Sequence, residues 1–294
     1  MDLRALRMFV EVVRQQGFSR AASTVFATQP TVSKAVKQLE EEIGFLLLDR
    51  MVSPPSLTIA GEVVFRRAVA MLAERDSLIS ELAELRGLRQ GVLRIGFPPV
   101  GADVLFAPVF TAYRRRYPGI DIRLTEQGSK RLEELIVDGE LDIAASLLPV
   151  SQEFDWQDVR REPLDLLVAH DHPLARRSTV SIAELRDVPL ILFSEGFALN
   201  PIILGACRRN GFEPNIATRS SQISFILELV AGGLGVGFLP RMVASQREHA
   251  GVRNIGITDP DLVWHIALIW RRGGYLSHAA QAWVELIREA HAVQ

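Results

Sequence analysis

Cysteine is nearly missing: Cys207 is the single one in 294 residues. One thiol closes no internal disulfide and builds no thiolate cage, which excludes extracellular stapling and structural zinc. Cys207 reads as a small residue packed on a helix. No uninterrupted run of about 18 apolar residues occurs, so no membrane span is expected. The opening MDLRALRMFVEVVRQQ sets Asp2, Arg4, Arg7, Glu11 and Arg14 among its apolar residues, unlike a secretory leader. A cytoplasmic protein is expected. An excess of either charge is also lacking: the net charge is -2, with 23% charged and 48% apolar residues. The chain is therefore not basic throughout, and any nucleic-acid site must be a local patch.

Organised catalytic or cofactor motifs are lacking too. GGLGVG follows a helical pattern and precedes a strand, the reverse of the order that cradles a phosphate. HDHP at His170 to Pro173 offers two ligands without a third and reads as a turn, and His249, His265, His278 and His291 are scattered. FSEGF lacks the spacing of a nucleophile elbow. No catalytic residue, metal or cofactor is assigned.

What is present begins with a gap in negative charge. Between Val12 and Leu39 there is no Asp or Glu, while Arg14, Arg20, Lys34 and Lys37 are there. Leu3, Leu6, Phe9, Val10 and Val13 recur at helical steps and predict a first helix ended by Gly17. Ser19 is expected to cap a short second helix whose Ala21 and Ala22 admit a close neighbour. Thr28 caps a third, with Pro30 tolerated in its first turn. Val32, Val36, Leu39 and Ile43 give that helix one apolar stripe. Gln29, Thr31, Ser33, Lys34 and Lys37 lie off it, the mixture of cations and short hydrogen-bonding groups that a helix in a major groove requires. Glu40, Glu41 and Glu42 are expected at the far end, pointing away. FLLLDRMVSPPSLTIAG then reads as strand, Pro-Pro turn and strand, the layout of a wing.

From FSRAASTVFATQPTVSKAVKQLEEEIGFLLLDR through LTIAG, the chain resembles the winged helix-turn-helix of the LysR-type transcriptional regulators. The resemblance implies DNA contact by Gln29, Pro30, Thr31, Ser33 and Lys34, with Arg50 near a phosphate in the wing. Arg20 and Lys37 complete the expected DNA-binding set. Two departures are visible: Leu48 stands where Phe is usual, and MVSPPS carries fewer cations than the typical wing.

Val64, Ala68, Met71, Arg75, Leu78, Leu82 and Leu85 form a heptad seam with one arginine in it. Such a seam wants a partner, and from Ala60 to Leu88 the helix would span ~40 Å. The resemblance implies antiparallel pairing between subunits, hence a homodimer or homotetramer on a pseudo-palindromic operator in double-stranded DNA, with RNA polymerase a further partner. Gly87 and Gly91 bracket the end of this helix. Beyond it, VLRIGF, LFAPVFTAYRRRYPG, IDIRLTEQ, SKRLEELIVDGE and LDIAASLL alternate as a βαβαβ unit with a parallel sheet. A second α/β set follows, after which LVWHIALIWRR and SHAAQAWVELIREAHA return to the first. Two such lobes enclose a cleft where small ligands bind.

These stretches resemble the LysR-type effector domain, which has the two-lobed fold of periplasmic solute-binding proteins. The matches are the L-x-x-G-x-LD-I-A run at Leu135 to Ala144, HPLA at His172 to Ala175, and V-x-x-G-x-G-x-G-x-LP at Val230 to Pro240. The resemblance implies an effector lined by Val100, Gly101, Ala102, Asp103, Gly128, Ser129, Ser146, Leu147, Asn200, Pro201, Gln222 and Phe225. Asp103 either caps its own helix or meets the ligand. Either role disfavours an anion at that helix end and points toward a neutral, aromatic or cationic effector.

The expected organisation is a mixed fold: winged helix-turn-helix over 1-58, linker and dimerisation helix over 59-89, and two-lobed α/β effector domain over 90-294. Its first lobe takes 90-162 and 267-294, its second 163-266. The expected function is a sequence-specific transcriptional regulator modulated by an unidentified small molecule. The alternative is an α/β enzyme or solute-binding protein whose N-terminal helices only dimerise.

Overall fold

The computed structural model describes residues 1-52, 54-85 and 91-291. Ser53 of the wing, Gly87, the linker beyond residue 85 and the last three residues of the chain lie outside them. The chain divides into two compact units, Met1–Leu88 with Val137–Glu140, and Arg89–Ile136 with Leu141–Gln294.

In the first unit, α1 (Leu3–Arg14) starts at Asp2, whose carboxylate accepts from the amides of Arg4 and Ala5. Leu6, Phe9 and Val10 are buried as the periodicity predicts. Met8 and Val12 join them, and Leu3 is left exposed. The helix α2 (Phe18–Thr24) begins two residues earlier than expected, so Ser19 lies inside its first turn and Gly17 occupies a cap position with no side-chain bond. Ala21 and Ala22 are buried, and α3 (Gln29–Ile43) packs over them. Thr28 caps α3, accepting from the Thr31 amide at 3.4 Å, and Gly44 closes it in the left-handed region at φ 80°.

A two-stranded wing follows, β1 (Leu48–Asp49) antiparallel to β2 (Ser56–Leu57). The long helix α4 (Ile59–Leu85) begins at Thr58, whose hydroxyl accepts from the Gly61 amide at 2.9 Å and donates to the Leu46 carbonyl at 2.7 Å. A Cβ on Gly61 would fall 2.0 Å from the Leu47 carbonyl oxygen. Glycine is required there because helix and wing backbone touch. The LT-x-AG pattern is thus a junction whose hydroxyl and missing side chain lock wing to helix.

In the second unit, β3 (Gly91–Phe97) runs parallel to β4 (Ile120–Glu126) and β5 (Ile143–Leu147). The helices α5 (Ala102–Leu105), α6 (Ala107–Arg116) and α7 (Ser129–Val137) connect them; the single expected helix after β3 is two, meeting at Phe106. The strand β6 (Phe154–Ala169) organises the rest. Its first part, to Pro163, pairs antiparallel with β12 (Val263–Arg271), which in turn pairs with β5. Its second part, from Leu164, pairs with β10 (Gly237–Pro240) and β11 (Val252–Ile257), and β11 runs parallel to β7 (Thr179–Val180). Beside them lie the parallel pair β8 (Leu190–Phe193) and β9 (Ile216–Ser220), with α8 (Leu199–Arg209), α9 (Ile223–Ala231) and α10 (Arg241–Ser245). The terminal helix α11 (His278–His291) returns to the first sheet and buries Trp283 against Phe97 and Tyr113. One strand therefore serves two α/β lobes, and the expected mixed fold is the one observed.

GGLGVG joins α9 to β10, a helix-to-strand turn as read. HDHP is a turn in which His172 Nδ1 accepts from the Leu174 amide at 3.2 Å. No helix among the described residues is long and apolar enough to cross a membrane.

Candidate DNA interface and ligand cavity

The surface around the start of α3 assembles most of the expected set. Gln29, Pro30, Thr31, Lys34 and Lys37 are exposed and Ser33 is half-buried. Val32 and Val36 anchor the opposite face with no exposure at all. Thr28 and Thr31 share a hydroxyl hydrogen bond of 2.8 Å, which fixes the first turn. Arg20 is exposed on α2, its guanidinium donating to the Gln16 carbonyl at 3.0 Å. Lys37 is 3.6 Å from Glu41, whereas Lys34 has no ion-pair partner among the described residues. Arg14, counted among the cations of this patch, lies 3.7 Å from Glu11 on its own helix.

The acidic end differs from expectation at one residue. Glu41 and Glu42 are exposed, but Glu40 is buried. Its Oε1 accepts from the amides of Leu47 and Leu48 at 2.9 and 3.2 Å, and its Oε2 from Arg50 Nη2 at 2.7 Å. The chain turns back into β1 at Leu47 and Leu48, and a carboxylate is the group that satisfies two inward amides there. Arg50 also lies over the Phe18 ring, 5.3 Å from its centroid. Its charge is committed to the root of the wing.

Phe26 escaped the sequence reading. It is 98% exposed and holds a positive φ of 53° in the turn before α3. A composition argument cannot find it, because nothing in TVFATQ announces a left-handed aromatic.

The second site is a cavity of about 480 Å³ between the two lobes of the C-terminal unit. Leu147, Asn200 and Pro201 of the expected set line it, together with Lys130, Glu133, Leu148, Pro149, Phe197, Ile202 and Arg219, which sequence reasoning missed. The missed residues come from α7, the loops after β5 and β8, α8 and β9, and no local pattern announces that these meet. Asn200 shapes the wall and is already saturated: its Oδ1 accepts from the Phe193 amide, and its Nδ2 donates to the carbonyls of Phe193 and Ser194. Ser146 is fully buried and donates to Glu133 Oε1 at 2.6 Å. Burial pushes the Glu133 carboxyl above its usual range and the Glu134 charge adds to this, with the Ser146 bond opposing.

The remaining expected residues are not among those that line this cavity. Val100 is in the core, and Gly101 abuts the Trp264 ring, 2.7 Å from where a Cβ would stand. Ala102 is partly buried against the core. Asp103 does not cap its helix: the cap position of α5 is Gly101, and Asp103 pairs with Arg247. Ser129 is buried, and Gly128 sits so close to Gly196 that a Cβ would meet its carbonyl oxygen at 2.7 Å. Gln222, at the cap of α9, and Phe225, on that helix, are exposed, Phe225 by 53%.

Residues 3-62 match the family described as bacterial regulatory helix-turn-helix protein, lysR family, and residues 86-292 match the LysR substrate binding domain. The uncharacterized HTH-type transcriptional regulator YwbI of Bacillus subtilis is 37% identical over 286 residues, which are 97% of this chain and 95% of that protein. A hydrogen peroxide-inducible genes activator of Pectobacterium carotovorum subsp. carotovorum is 28% identical, covering 98% of this chain and 96% of its own. Among solved structures, a full-length OxyR variant from Pseudomonas aeruginosa superposes with a TM-score of 0.76 at 28% identity, covering 98% of this chain and 95% of that one.

Proposed function

The chain belongs to the LysR family of transcriptional regulators, DNA-binding proteins with an effector-binding domain and not enzymes, and from that premise we propose which residues carry each activity. The start of α3 enters a major groove, with Gln29, Thr31, Ser33 and Lys34 at base edges and Arg20 and Lys37 at phosphates. Pro30 shapes the first turn. Arg50 acts through the wing it braces. Two copies pair through the α4 seam, as a homodimer or as two dimers in a tetramer, on a pseudo-palindromic operator. The protein works in the cytoplasm. A small molecule in the inter-lobe cavity shifts the arrangement of the DNA-binding domains, altering DNA bend and polymerase recruitment.

The observation that carries this reading is the exposed, acid-free start of α3, with Lys34 free of any ion pair among the described residues above a fully buried Val32 and Val36. A gel-shift assay with the DNA flanking the protein's own gene tests it. Wild type is expected to retain that DNA and not a scrambled copy, and Lys34→Ala to lose about 1 to 3 kcal/mol of the specific binding. Equal affinity of both proteins for the native site would remove Lys34 from the interface.

A further inference from the structure

The cavity combines charges that seldom share one small site. Lys130, in the first turn of α7, and Arg219, on β9, are its cations; Glu133, on α7, and Glu195, before α8, are its acids. Arg219 is steered by its own bond to the Phe193 carbonyl at 3.4 Å. Glu133 gives one oxygen to Ser146 and has a second for another donor. Between the charges the wall is apolar: Leu147, Leu148, Pro149, Phe197, Ile202 and Leu204.

Charge matching decides among ligand classes. A simple carboxylate would satisfy Lys130 and Arg219 but offer no cation to Glu133 and Glu195. A simple amine would satisfy Glu133 and repel the cations. A neutral aromatic would fill the apolar wall but engage none of the four charges, of which Glu133 is partly buried and Lys130, Glu195 and Arg219 are exposed. Resting on the reading of this cavity as the effector site, we propose that the effector is a zwitterion, an α-amino acid with an apolar side chain. Its carboxylate meets Lys130 and Arg219, its ammonium meets the open oxygen of Glu133, and its side chain lies on the apolar wall. The first turns of α7 and α8 contain no acid, so both helix starts favour the carboxylate. The rise of the Glu133 carboxyl through burial agrees, since an arriving ammonium would stabilise its charged form. The end of α5, where Asp103 disfavours an anion, contributes no lining residue to the cavity.

The test is calorimetric titration of the full chain with L-leucine, L-methionine and L-phenylalanine. Each is matched by its deaminated acid and its decarboxylated amine. At least one amino acid is expected to bind tenfold or more tightly than both its acid and its amine. Glu133→Gln should then lower affinity for that amino acid about tenfold while leaving the matched acid unchanged, a split that a loss of packing would not produce. Ala198→Trp, which fills the cavity from the cap of α8, should abolish binding, with its melting curve checked against wild type.

An acid or an amine binding as tightly as its amino acid overturns the zwitterion. If Ala198→Trp still abolishes that binding, the cavity stands as an effector site of another chemistry. Binding that survives in a folded Ala198→Trp protein overturns the cavity itself. Absence of binding by every member of the panel overturns the zwitterion, and retention of the native DNA in the gel shift then shows separately whether the regulator reading holds.

Discussion

Glu40 and Arg50 form a 2.7 Å ion pair from the end of α3 to the root of the wing, with the carboxylate buried and the guanidinium partly open to solvent. The same carboxylate takes the Leu47 and Leu48 amides. The two partners therefore differ in importance. Glu40→Ala strands two inward amides as well as the arginine and is expected to cost the N-terminal unit about 2 to 4 kcal/mol. Arg50→Ala leaves the amides satisfied and removes a partly screened contact, so about 1 kcal/mol is expected. Urea unfolding followed by circular dichroism checks the order, and an equal loss in both variants would show that the amide contacts contribute nothing.

What the sequence announced and what it hid follow from range. The apolar stripe of α3, the Thr28 cap and the seam of α4 are local and periodic, so they were legible. Glu40 looked like one of three exposed acids because its partners lie seven to ten residues on, across a turn. Likewise β6 was expected only from its DLLVAH end. Its first half, FDWQDVRREP, alternates with so many charges that its place between β12 and the solvent face is fixed only by pairing. The cavity was the least legible part, for Lys130, Glu133 and Arg219 are ordinary surface letters until the lobes bring them together.

Phe26 holds φ 53° with its ring almost wholly in solvent, so it has backbone strain and no packing to offset it. Asn adopts that region more readily. Phe26→Asn is therefore expected to raise stability by about 1 kcal/mol. A rise in melting temperature together with weaker operator binding would place the ring against DNA. A fall in melting temperature would mean that the ring is covered in solution.

Similarity to a hydrogen peroxide-inducible activator raises the question whether this chain senses oxidant. Cys207 is buried on α8, and burial pushes its thiol above its usual range, with the backbone opposing and Glu213 adding a little. A raised thiol stays protonated until the pH passes the raised value, so thiolate is scarce near neutrality, and no second cysteine exists to trap a sulfenic acid. Treatment of the folded protein with dilute peroxide is expected to leave the mass of the Cys207 peptide and the gel shift unchanged, and Cys207→Ala should bind DNA like wild type. A peroxide-dependent gel shift lost in Cys207→Ala would reverse this expectation.

The seam of α4 divides into two parts with different duties. Val64 and Ala68 are used within the N-terminal unit, where α4 packs on α1 and Phe65 meets Phe9 edge to face at 6.4 Å. Farther along, Met71, Leu78 and Leu82 remain 44, 55 and 48% exposed, and Arg75 pairs with Asp76 at 2.6 Å. Apolar side chains repeating at heptad spacing and left in water are what a partner helix would cover. Leu78→Glu places a charge in that seam without touching the unit's own core. It should weaken dimerisation by at least tenfold in sedimentation, reduce operator binding at nanomolar protein concentration, and leave far-ultraviolet dichroism unaltered. Leu78→Met, which keeps an apolar side chain of similar volume, should assemble as wild type does. Assembly of Leu78→Glu equal to wild type would move the dimer contact off α4.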